Sequence, residues 1–147
     1  MIGTLVDEYA FAVEEGKVME FARAIKDPAA RYVDAEAARD EGFAAIPAPL
    51  TFTVIAGHHR DAAAAVALLG LDIRRVVVGE VGWEYERPPV VGDVLHGRRT
   101  VADVQRKDGA RGGTMTFVTL ATEFRDAAEE VVVRQREVLI ETAKASS

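Results

Sequence analysis

A chain of 147 residues, 49% of them hydrophobic, has the length of one domain with a single sizeable core and leaves no room for a second. Its 24 acidic residues against 18 Lys and Arg give a net charge of −6, which argues against a general nucleic-acid binder, because neutralising phosphates needs a basic excess. With no cysteine, disulfides, thiolate catalysis and cysteine-based zinc sites are excluded, and chemistry falls to carboxylates, His, Tyr, hydroxyls and backbone amides. The apolar run AAAAVALLG at 62–70 stops far short of the ~20 residues a membrane span needs. No charged-then-apolar signal pattern opens the chain, so a cytoplasmic protein with no membrane partner is expected.

In chain order, Tyr9 to Val13 reads as a short strand. Val18, Phe21, Ala22 and Ile25 then fall at i, i+3, i+4 and i+7, an amphipathic helix from Glu15 to Lys26. Asp34 is placed to cap a brief helix, Ala35 to Glu41, that Gly42 ends. The prolines of Pro47 to Thr51 force an extended approach. From Thr51 or Thr53 as cap to Leu69, with Gly70 as stop, the chain carries only Arg60 and Asp61 as charges, which predicts one long helix buried nearly all round.

After Gly70 the period changes to two. Val81, Trp83 and Tyr85 alternate with Gly82, Glu84 and Glu86. Val94–Val104, Thr114–Phe124 and Val131–Glu141 are β-branched runs separated by turns at 91–93, 108–113 and 126–130. Four or five such strands make an antiparallel meander, and Thr142 to Ser147 reads as a frayed tail. A long apolar helix followed by a meander predicts an α+β domain, residues 1–147, whose sheet curls around the helix: the hotdog fold.

Within this acidic chain His96 to Arg111 forms a basic island of Arg98, Arg99, Arg106, Lys107 and Arg111 against Asp103 and Asp108. It is either a solvated strand pair or a dock for an acidic carrier or a phosphorylated cofactor. His58 and His59, about 100° apart on a helix, cannot converge on one metal, so no metal site is expected. His59 shares a helical face with Phe52, Ile55, Ala56 and Val66 and reads as a packed histidine or a base entering an acyl tunnel. Trp83 reads as core or as a wall of that tunnel.

The run from Met19 through Phe52, the segment WEYERPPVVGDVL (Trp83 to Leu95) and VVVRQREVLIE near the end resemble the N-terminal-type domain of MaoC-like dehydratases, in particular the HadA-like substrate-binding subunits. The resemblance spans nearly the whole chain, and PAPLTF (Pro47 to Phe52) and ERPPVVGD are its more specific parts. It implies hotdog pairs enclosing acyl thioester tunnels, with (R)-specific addition of water to a 2-enoyl thioester or the reverse dehydration. Catalytic members carry an Asp, four residues, a His, and an Asp two residues on. Here Asp27 matches the acid, Asp34 the trailing Asp, and Tyr32 stands on the His position.

Removing a C2 proton and expelling a 3-hydroxyl needs a base near neutrality with a proton donor beside it, work suited to a His and carboxylate pair. Tyrosine, with an ordinary pKa of about 10, is a poor base at pH 7. Asp27 and Tyr32 are therefore candidates for a degenerate catalytic pair. An enolate oxygen also needs amide donors, and the helix terminus from Pro49 to Thr53 can offer them. Pro49, Leu50, Thr51, Phe52, His59 and Trp83 are the expected substrate contacts, and Arg98, Arg99, Arg106 and Lys107 the expected contacts to the phosphates of coenzyme A or an acyl carrier protein.

The leading expectation is an acyl-binding subunit paired with a catalytic hotdog partner, needing no cofactor. A self-sufficient homodimeric hydratase, a thioesterase using the one helix acid, Asp61, and a non-catalytic assembly module are the alternatives.

Overall fold

Alternating side chains build most of the molecule. In the computed structural model, which describes residues 1–109 and 112–144, five strands form one antiparallel sheet: β1 (Leu5–Ala12), β2 (Val76–Tyr85), β3 (Val94–Asp108), β4 (Thr114–Arg125) and β5 (Val131–Glu141). Their order is β1-β3-β4-β5-β2, so β1 and β2 are the two edges. Along β4, Val118, Leu120, Thr122 and Phe124 are buried in alternation, as a half-covered strand requires. β3 and β4 shift register between Val101 and Asp103, where a bulge increases the local twist. Ala110 and Arg111 of the turn that joins these strands, and Ala145 to Ser147, lie outside the described residues.

The helices cover one face of this sheet, which is the hotdog arrangement. α1 (Glu15–Ala24) buries Val18 and Ala22. It ends in a double cap, with the Lys26 N–H donating to the Arg23 carbonyl and the Asp27 N–H to the Ala22 carbonyl. Lys26 holds the left-handed φ of 59° in that cap. The α2 helix (Ala35–Asp40) starts on Asp34, whose carboxylate accepts from the N–H groups of Glu36 and Ala37, and stops at Gly42 with φ 92°.

The expected single long helix is two pieces. Phe52–His59 is a 3-10 helix, Arg60 is extended at φ −122° and ψ 150°, and α3 (Ala62–Leu68) begins afresh. Thr53, Val54, Ile55 and Gly57 are weak helix formers, and Asp61 caps α3 by accepting from the Ala64 N–H at 2.9 Å. The sequence DAAA was itself a start signal. Nor is the segment buried all round, since His58, His59 and Ala62 to Ala64 are exposed.

Under the helices the core divides in two. One cluster gathers Phe11, Val18, Tyr32, Phe52, Leu95, Phe124 and Val133; the other gathers Leu69, Val101, Val118, Leu120 and Leu139. Along β3 and β5 the residues between them are polar: Arg99 separates Leu95 from Val101, and Gln135 and Glu137 separate Val133 from Leu139. The opposite face carries a row of alternating charge, Glu84, Arg134, Glu123, Arg98 and Glu8, paired strand to strand across the whole sheet. Among the described residues no helix is long and apolar enough to cross a membrane.

Candidate active site

The two most specific sequence segments lie against each other. The Ala48 N–H donates to the Pro89 carbonyl and the Val91 N–H to the Ile46 carbonyl, each at 2.8 Å. Arg87 holds this corner, forking both oxygens of Asp93 at 2.7 and 3.0 Å and reaching Asp126 at 3.0 Å. From this corner the chain enters the 3-10 helix through buried Pro49 and Leu50, whose side chain is 68% exposed.

Thr51, expected as a cap, adopts φ 70° and makes no side-chain cap. Its N–H donates instead to the Tyr85 hydroxyl at 2.8 Å. Two residues earlier on β2, and therefore on the same face, Trp83 donates its indole N–H to the Thr53 hydroxyl at 2.9 Å. Thr53 passes a hydrogen bond to Gln135 Oε1 at 2.8 Å, within the core. Phe52, 1% exposed, sets its ring edge-on to Phe21 at 5.4 Å. Edge strand β2 thus clasps the start of the 3-10 helix through two side chains.

A second amide expected to receive an oxyanion is also engaged within the turn, since the Phe52 N–H donates to the Pro49 carbonyl; just beyond it the Val54 N–H donates to the Thr51 carbonyl. The sequence alone does not mark Tyr85 and Gln135 as site residues, and it marks Thr53 only as a helix start. The clean alternation of Trp83 and Tyr85 was the available signal, because it put both rings on the helix side.

Asp27 and Tyr32 sit on the loop between α1 and α2 with no hydrogen bond between them among the described residues. Asp27 Oδ1 accepts from the Ala29 N–H at 3.1 Å, closing a turn ahead of the short 3-10 stretch Ala30–Tyr32. Tyr32 is buried in the same cluster as Phe52, with Trp83 and Tyr85 packed against it. The Arg31 guanidinium lies 4.9 Å from the Tyr32 ring centre. Asp34 is spent on capping α2, and Asp61, the acid a thioesterase would need, on capping α3. His59 is solvent-exposed and stacks on Phe11 with ring centres 5.9 Å apart.

The basic island does not form one patch. Arg99, 5% exposed, is turned inward, doubly bonded to Asp7 and 3.3 Å from Glu137, so it is not free to meet a phosphate. Arg98 pairs with Glu8 on the outer face. Arg106 stands eight residues further along β3, and at about 3.3 Å per residue it lies ~26 Å from Arg98. Lys107 lies over the Phe117 ring. Arg111 is outside the described residues.

Burial raises the Tyr85 phenol above its ordinary pKa, partly offset by the Thr51 N–H, and burial likewise raises Tyr9. Both are neutral donors at pH 7. Among the described residues no group of three or more His, Asp or Glu converges as metal ligands would.

The family description "FAS1-like, dehydratase domain region" matches residues 1–135. A UPF0336 protein of Thermobifida fusca is 34% identical over 139 residues, 93% of this chain and 88% of that one. Among solved structures, a HadBC (3R-hydroxyacyl-ACP dehydratase) complex from Mycobacterium tuberculosis superposes with a TM-score of 0.74 at 24% identity, covering 91% of this chain and 94% of that chain. A MaoC-like dehydratase superposes with a TM-score of 0.79 at 27% identity over 97% of this chain, which spans 42% of that larger protein. The chain belongs to the FAS1-like dehydratase domain family.

Proposed function

We propose that this chain is the acyl-thioester-binding subunit of an (R)-specific 3-hydroxyacyl thioester dehydratase or 2-enoyl hydratase, working beside a catalytic hotdog partner. The observation that carries the reading is the replacement of the catalytic His position by Tyr32, buried and not bonded to Asp27. In the hydration direction the oxygen of water adds to C3 of the enoyl group, a proton arrives at C2, and negative charge passes through the thioester oxygen. A base near neutrality must take the proton of that water. Tyr32 in an apolar cluster is unsuited to the task, whereas the clasped helix start and apolar surroundings are suited to holding an acyl group.

Pairing is supported by β2, a ten-residue edge strand whose Val77 and Val78 are exposed. An uncovered apolar edge of that length favours joining to another sheet. The solved HadBC structure is described as a complex, and its proteins carry 3R-hydroxyacyl-ACP dehydratase chemistry. Whether coenzyme A or a carrier protein presents the acyl group, Arg98, Arg106 and Lys107 remain the candidate contacts to its phosphates or acidic side chains. Reversing two of them to Glu weakens carrier binding in a salt-sensitive way on this reading; unchanged affinity removes the contact.

The second reading is a self-sufficient homodimer using Asp27, whose Oδ2 accepts no hydrogen bond among the described residues. Purified protein is assayed alone for loss of enoyl absorbance with a short 2-enoyl thioester, with Asp27→Asn as control. Thioester binding without turnover supports the binding subunit; turnover abolished by Asp27→Asn supports the homodimer; no binding defeats both.

A further inference from the structure

We propose that the Tyr85 hydroxyl is the hydrogen-bond donor to the thioester carbonyl of the bound acyl group. The inference rests on the proposed acyl-thioester reading and deepens it. A phenol has one proton to give and lone pairs to accept with. The Tyr85 oxygen accepts the Thr51 N–H at 2.8 Å, and among the described residues its own proton has no acceptor. That proton is the part of the clasp left for a ligand.

Three features make the placement more than an unused hydroxyl. Thr51 holds a left-handed φ of 70°, a conformation L side chains rarely adopt, with its N–H donated to Tyr85. The Trp83, Thr53 and Gln135 chain fixes the next turn, so the hydroxyl is held between a rigid strand and a rigid helix start. Tyr85 is also the last residue of edge strand β2, and the Thr51 it holds follows directly on exposed Leu50.

The expected amide donor at Thr51 is thereby relayed through a phenol. An N–H donated into the oxygen polarises the O–H bond and strengthens its donation to a further acceptor. A phenol is protonated at neutral pH, as a donor must be, and burial only moves the Tyr85 pKa further up. A carbonyl oxygen gaining negative charge is the acceptor this arrangement favours most.

The test is infrared spectroscopy of a crotonyl thioester of pantetheine, isotope-labelled at the carbonyl carbon and bound to the protein. The carbonyl band in the wild-type complex is expected at lower frequency than in the Tyr85→Phe complex, with binding roughly tenfold weaker in the variant, the size of one neutral hydrogen bond. Fluorinated tyrosines at position 85 keep the ring, the hydroxyl and the Thr51 contact while lowering the phenol pKa. They are expected to lower the band further in step with their acidity, which a merely structural role would not do. A band unchanged in Tyr85→Phe, or flat across the fluorinated series, overturns the inference and leaves the acyl-binding reading standing. Absence of saturable binding to wild type overturns both.

Discussion

Arg87 and Asp93 close a two-pronged ion pair across the ERPPVVGD segment, with N–O distances of 2.7 and 3.0 Å. The same carboxylate accepts the Val90 N–H at 2.9 Å. The segment therefore carries its own lock, and that lock presses the Pro89 carbonyl onto the helix entry at Ala48.

Removing Asp93 takes two hydrogen bonds from the guanidinium, which keeps Asp126, and leaves the Val90 N–H without its acceptor. Asp93→Ala is expected to cost about 2 kcal/mol and Arg87→Ala somewhat less, because Arg87 is partly solvated. Urea unfolding of the two variants measures this; losses within experimental error would show the lock to be ornamental.

Arg87 also donates to Asp126, and with the N–H groups of Glu130 and Ala128 it holds that carboxyl below its ordinary value of 3.8. A carboxylate whose folded pKa is depressed stabilises the fold above the unfolded value and loses that contribution as the pH falls through the lower folded value. The urea midpoint should accordingly decline with acid below about pH 4, and the decline should be shallower in Arg87→Ala.

Gly97 faces inward with no space for a methyl group: a Cβ there would lie 2.7 Å from Tyr9 Cε2 and 3.0 Å from Phe124 Cε1. Gly97→Ala is expected to destabilise by roughly 1–3 kcal/mol through overpacking. Pairing it with Tyr9→Leu should recover part of the loss, because the two positions touch. A double variant whose losses simply add would contradict the clash.

Among the described residues Arg99 is the one cation bonded to both Asp7 and Glu137. Arg99→Met leaves two largely buried carboxylates facing each other and is expected to cost about 3–5 kcal/mol. By contrast Arg98→Met, on the exposed face, should stay within about 0.5 kcal/mol. Equal losses at the two positions, read from thermal or urea unfolding, would refute the inward and outward assignment.

Lys26 occupies a left-handed cap position that glycine adopts without strain. Lys26→Gly should raise stability by roughly 0.5–1 kcal/mol, seen as a higher urea midpoint. Lys26→Val should lower it.

Much of the architecture was legible because its causes are local. The alternation of Val131 to Glu141 defines β5 at both ends, and Asp34 and Gly42 bound α2 within one residue, since period and caps act over a few neighbours. The break at Arg60 and Asp61 was local as well; it was missed because both were weighed as charges and Asp61 was not read as a cap.

What the sequence determined by itself was the strand periods, the bounds of α2, and the family to which the chain belongs, legible in its PAPLTF and ERPPVVGD segments. What only the tertiary structure decided was which polar groups meet. Arg99 faces Asp7 from 92 residues away, and Tyr85 meets Thr51 across 34. Adjacent arginines at 98 and 99 read alike in a string, yet a strand sends successive side chains to opposite faces, so one joins a solvated charge row and the other a buried ion pair. Sheet order, not local pattern, put β2 at the edge and brought its Tyr85 hydroxyl onto the start of the 3-10 helix.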